Sequence, residues 1–234
     1  AVCTSNLPDP EIALPGDHFN TILYDDGAGA KTGVGFQPDL VLFKSRGSAY
    51  DFKFVDAVRG LYWSVMSPNQ AVQIEDTTGL TAFGADGFTV GADTDYSDTT
   101  GDGMVAWSWK GNGVSGGTLN ENGNRDSQVN VNTTAGFSIV TWENNNTTGA
   151  TVGHGLSQAP DMILNKTTTG TYGWYCYHSG LDATAPEDYY INLNTTTART
   201  DNAADGWNDT APTATIFTLG AEGTNSVGGM DVVS

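Results

Sequence analysis

Residues 33–44 read Gly-Val-Gly-Phe-Gln-Pro-Asp-Leu-Val-Leu-Phe-Lys, and residues 153–166 read Gly-His-Gly-Leu-Ser-Gln-Ala-Pro-Asp-Met-Ile-Leu-Asn-Lys. Each stretch has a Gly-x-Gly-apolar turn, a Pro-Asp, an apolar run and a closing lysine. Further landmarks recur in the same order. Phe19 answers Phe137, Gly60-Leu61 answers Gly180-Leu181, and Phe88-Thr89-Val90-Gly91 answers Phe217-Thr218-Leu219-Gly220. The separations drift at the loops and hold within the segments. A repeat this long predicts tandem copies of a supersecondary unit, not a solenoid of short repeats.

The local patterns inside each copy predict strands. Asp39–Lys44 and Asp161–Lys166 are short apolar runs behind a proline, as in a sandwich-core strand. Leu40, Leu42, Ile163 and Phe217 are expected in the core of matching strands. Met104–Trp109 alternates, with Trp107 and Trp109 on one face. Gly136–Trp142 and Phe19–Tyr24 read as a matching pair of strands. Turn signals separate them: Asp25-Asp26-Gly27, Ala85-Asp86-Gly87, Asp102-Gly103 and Asp205-Gly206. Helical turns are expected only at Pro68–Asp76 and Leu193–Asn202. The fold class is therefore all-β, with two similar antiparallel, lectin-like β-sandwich units. The predicted boundaries are an arm at 1–18, a first unit at 19–110, a Gly/Asn-rich connection at 111–135 and a second unit at 136–234. The second unit lacks the tryptophan pair of the first after Gly229-Met230. Either its last strand differs or the protein continues past Ser234. The chain opens on Ala1 rather than methionine, which fits a processed or partial chain.

Composition narrows the function. Among 234 residues, 27 are acidic and 9 are Lys or Arg, for a net charge of −18. The excess is even: 6 basic and 15 acidic residues precede Thr118, and 3 and 12 follow, so each half carries −9. Such a surface repels phosphate backbones and anionic membranes. No stretch approaches the roughly 20 apolar residues that span a bilayer. Cys3 and Cys176 are too few for a disulfide scaffold, and their pairing is left open.

The His-Gly-Leu…Pro-Asp turn at 154–161, the Trp174–Leu181 segment and Ala211–Gly220 resemble a repeated domain of virion proteins of tailed bacteriophages, especially of marine bacteria. The first copy resembles it through Gly35-Phe-Gln-Pro-Asp-Leu-Val41 and Phe83-Gly-Ala-Asp-Gly-Phe-Thr-Val-Gly91. The resemblance implies a non-enzymatic tail-fibre or capsid-surface protein outside the cell, on the virion. Its partners would be copies of itself, other virion proteins and a host-surface glycan. The first copy has Val34 where the second has His154, so chemistry needing that histidine would occur once. The competing reading is a secreted bacterial β-sandwich that binds or cleaves glycans.

The residues themselves offer two candidate sites. Asp93, Asp95, Asp98 and Asp102 supply clustered carboxylates on a Gly-containing loop, the chemistry that calcium selects. Trp207, in the polar run Asp205-Gly-Trp-Asn208-Asp209, is the candidate for stacking on a sugar ring, with Asp205, Asn208 and Asp209 as hydrogen-bonding neighbours. His18, His154 and His178 form no zinc-like spacing, and no nucleophile elbow is expected.

Overall fold

The computed structural model describes residues 11–25, 27–67, 70–201 and 206–221, together with the backbone of 230–233. Antiparallel strands are the dominant regular structure among these residues, and the fold is all-β. The N-terminal half contains β1 (Phe19–Tyr24), β2 (Gly29–Thr32), β3 (Leu40–Ser45), β4 (Lys53–Asp56) and β5 (Trp63–Met66). It continues with β6 (Ile74–Glu75), β7 (Leu80–Gly84), β8 (Gly87–Val90), α1 (Thr94–Ser97) and β9 (Met104–Trp109). Six of the strands form a large sheet in the order β1-β9-β3-β4-β5-β6, and β2-β8-β7 form a small one.

The C-terminal half contains β12 (Phe137–Asn144), β13 (Thr151–Gly153), β14 (Met162–Thr167), β15 (Tyr175–His178), β16 (Tyr189–Tyr190), β17 (Thr200–Asp201), β18 (Ile216–Thr218) and β19 (Met230–Val233). Its ladders run β12-β19-β14-β15. The Cys176–Ile191 bridge then joins β15 to β16, which pairs with β17. Strand for strand this is the order of the first large sheet, and β13-β18 answers β2-β8. The last strand, β19, lies between β12 and β14 just as β9 lies between β1 and β3.

Residues 111–135 do more than connect the halves. They carry β10 (Thr118–Asn120) and β11 (Ser127–Asn132), and β11 extends the second large sheet along β12. The Gly and Asn content suggested a linker, but Gln128, Val129, Asn130 and Val131 alternate as a strand must. Helical turns also fall elsewhere than expected. Short 3-10 turns form at Pro15–Asp17 and Pro186–Asp188, and α1 lies within the acidic loop, where the Asp93 carboxylate accepts from Asp95 N at 2.7 Å and caps the first turn. The stretches expected to be helical contain β6 and β17, with Pro68 and Asn202 outside the described residues.

The Pro-Asp strands alternate between two cores. Val41 and Phe43 of β3 are fully buried with Val55, Phe88, Val90, Tyr96 and Met104. Ile163 of β14 is buried with Val140, Trp142, Val152 and Phe217. Leu40 and Leu42 point the other way and are only half-buried, so they are not in the core expected for them. Leu40 instead joins Phe54, Val65, Phe137, Ile139, Leu164, Trp174 and Cys176 in a third cluster drawn from both large sheets. The Trp174 ring lies 5.2 Å from Phe54, and its indole N–H donates to Met66 O at 2.9 Å. The two large sheets thus meet face to face, and each is covered on its other side by its small sheet. Burying each such side chain contributes roughly 1.5–3 kcal/mol.

The Gly-x-Gly turn admits its central residue to the core. Gly35 (φ 88°) and Gly155 (φ 75°) adopt the left-handed conformation that glycine tolerates. Val34 and His154 consequently occupy matching buried positions.

Candidate functional site

The two sites anticipated from sequence take other roles. Trp207 is 1% exposed. Its ring packs edge-on against Tyr177 and Phe217, at 5.8 and 6.4 Å, inside the C-terminal core. No sugar can stack on it. The polar residues around it turn the chain and let the indole point inward, which composition alone misread as exposure. Asn208 and Asp209 adopt positive φ (54° and 46°) in that turn. Partial desolvation and the neighbouring Asp209 carboxylate raise the Asp188 pKa. Asp205 lies outside the described residues.

The four aspartates of the acidic loop do not converge. Asp93 caps α1, and desolvation together with a hydrogen bond to the Asp76 carboxyl raises its pKa. Asp95 pairs with Lys53 at 2.8 Å. Asp98 is buried, accepting from Ser45 Oγ and from Thr100 N (2.9 Å) and Oγ1 (2.7 Å), and these bonds hold its pKa low. Asp102 is exposed and receives Thr100 Oγ1 at 3.3 Å. Calcium requires six to eight oxygens around one point. These carboxylates are distributed among a cap, an ion pair and two turn bonds instead. Among the described residues, no three His, Cys, Asp or Glu side chains are placed to share a metal ion.

The histidines and the remaining nucleophiles are also dispersed. His154 accepts Leu156 N on Nδ1 (3.2 Å), so its Nε2–H donates to Thr213 O (3.1 Å). Burial lowers its pKa. His18 Nδ1 accepts from Asn132 Nδ2 at 2.9 Å, and His178 is exposed. Residues 113–117, Gly-Val-Ser-Gly-Gly, do have the spelling of a nucleophile elbow. Ser115, however, sits on an exposed turn between β9 and β10, not between a strand and a helix. Cys176 is a buried thiol whose pKa burial raises to about 12, and Cys3 lies outside the described residues.

Where the halves meet, a groove of about 370 Å³ opens, within the size range of small-ligand sites. Val58, Arg59, Trp63 and Gln73 line it from the N-terminal half, and Asp126, Gln128, Thr141 and Glu143 from the C-terminal half. Arg59 is held rigidly. Its Nε reaches Asp56 Oδ2 at 2.6 Å, one terminal nitrogen bonds Asp56 and Phe54 O, and the other approaches Gln73 Oε1 at 3.5 Å. The Gln73 N–H donates to Thr168 O at 2.8 Å, tying the rim of one half to the other. On the facing wall, β11 and β12 pair Gln128 with Thr141 and so set these side chains next to each other. Sequence reading missed this groove because its two walls come from segments about seventy residues apart. Only the packing of the two large sheets brings them together.

The profile of the DUF7483 family, described as a domain of unknown function, matches residues 14–234, and the chain belongs to that family. No curated protein and no solved structure matches it.

Proposed function

We propose that this DUF7483 chain is a non-enzymatic surface protein of a tailed-bacteriophage particle, as a tail appendage or capsid decoration. It stabilises the particle or presents a surface to the host. The observation that carries the reading is the repeated strand order of the two large sheets. We take it as a duplicated unit, with the boundaries read from the repeat. The loops that connect strands on such a scaffold are suited to display. The sequence resemblance to phage virion domains supports the same reading. The aspartates of the acidic loop fit it as well, since they serve the fold as a cap, an ion pair and turn bonds.

A surface protein of this kind works in many copies, so the chain self-associates or docks on a lattice, through a closed homo-oligomer or contacts with other virion proteins. Its −18 charge favours a basic partner surface. The test is immunogold electron microscopy with antibodies raised against the purified chain. Labelling of intact particles at regular positions is the expected result. Particles that carry no label while the infected lysate contains the soluble chain would reject the assignment.

A further inference from the structure

We infer that the groove between the two halves binds an uncharged oligosaccharide, with Trp63 as its stacking platform. The inference rests on the host-facing part of the reading above.

The first argument is hydrogen-bonding capacity. The side chains of Asp126, Gln128, Thr141 and Glu143 make no hydrogen bond to another described residue, although all four line one groove. This contrasts with the aspartates of the acidic loop, each taken up by the fold. The groove therefore presents carboxylate acceptors, an amide that both donates and accepts, and a hydroxyl, none of them engaged by another described residue. A sugar meets such a set because each of its hydroxyls both donates and accepts.

The second argument is the indole. Trp63 is half-buried on β5 and lines the groove; Trp142 also lines it but is buried, as are Trp174 and Trp207. A pyranose ring offers an apolar face for such a platform while its hydroxyls reach the opposite wall. Arg59 and Gln73 complete the near wall and are already oriented by each other and by Asp56. Little ordering is needed on binding.

Charge selects the class of sugar. The guanidinium of Arg59 is ion-paired with Asp56, and Asp126 and Glu143 add two carboxylates to the groove in a chain of net charge −18. A uronate or sulfated chain would be repelled; a neutral one is not.

The experiment is isothermal titration of the purified chain with four neutral probes (laminarihexaose, cellohexaose, mannohexaose and chitohexaose), with alginate hexamer and hexalysine as contrasts. At least one neutral probe should bind, with alginate silent. Trp63→Ala should weaken that binding about tenfold. Because Trp63→Ala also removes packing from β5, the second variant is the double change Gln128→Ala with Glu143→Ala, on the opposite wall. It should also weaken binding about tenfold at an unchanged melting temperature. Silence of all four neutral probes, tightest binding by alginate or hexalysine, or full affinity in the double variant would each overturn the inference. Sugar binding by a chain that never labels particles would uphold the groove and remove the phage assignment. Labelled particles with a silent groove would do the reverse.

Discussion

The Asp39 carboxylate and the Asn130 side-chain amide meet at 3.0 Å across 91 residues of sequence. Asp39 is fully buried, and its other oxygen accepts Gly111 N at 2.8 Å and Gly113 N at 3.2 Å. Asn130 closes the same lattice, accepting Asn112 N at 2.7 Å and donating to Val114 O at 3.1 Å. The chain between the halves is thereby clamped to both. Gly111 permits this closeness, since a Cβ there would fall 1.8 Å from Asn130 Oδ1.

Asp39→Ala should cost about 3 kcal/mol, because it removes the acceptor of the buried Gly111 N–H and Asn130 amide and of the more exposed Gly113 N–H. The matching residue of the second copy, Asp161, is exposed and accepts Ser179 Oγ at 2.8 Å. Asp161→Ala should cost under about 1 kcal/mol. Urea denaturation of the two variants checks the difference. Equal losses would mean that the clamp adds nothing to stability.

Lys166 is the closing lysine of the second copy. It is fully buried, donates to Thr167 O at 2.7 Å, and faces the Arg59 charge. Burial, then Arg59, lowers its pKa to about 8. The unfolded chain holds this proton up to a pKa of about 10.4, so it binds more protons than the folded chain between those values. Stability from this group therefore rises as pH climbs from about 8 to about 10.4. Lys166→Met should raise the melting temperature at pH 7 and flatten that rise. Calorimetry across the alkaline range reads both effects.

His154 acts with the same sign in a more acidic window. Burial, partly offset by its bond to Thr213 O, lowers its pKa below the imidazole value of about 6.5. The unfolded state then binds more protons just below that value, so stability falls as pH drops through it. His154→Val copies the buried Val34 of the first half. The variant should lose less stability than wild type between pH 7 and pH 5.5, though it starts lower because Leu156 N loses its acceptor. Melting curves at the two pH values give the comparison.

Trp207→Ala should destabilise the chain by about 3–5 kcal/mol through cavity formation. Trp207→Phe should cost markedly less, since the indole N–H has no hydrogen-bond partner among the described residues. Sugar binding by either folded variant should match wild type. Loss of binding in Trp207→Phe at wild-type stability would restore the surface role that burial denies it.

The sequence alone carried the strands. Pro38-Asp39 and Pro160-Asp161 each precede an apolar run, and β3 and β14 follow them because a proline-led apolar segment with Gly turns at its ends favours extended backbone. Alternation at Met104–Trp109 likewise marked β9 and put both tryptophans on one face. Local patterns of this kind depend on neighbours a few residues away, so they survive without tertiary context. What lies on each face of a sheet does not. Only the packing of the two large sheets decided that Leu40 faces the other half and Val41 its own core, and that a polar loop hides Trp207. The same packing divided the Asp93–Asp102 carboxylates among separate partners and set Trp63 opposite Gln128 and Glu143. Periodicity reports that a residue turns inward or outward. Which surface it meets there is determined by contacts between segments far apart in the chain.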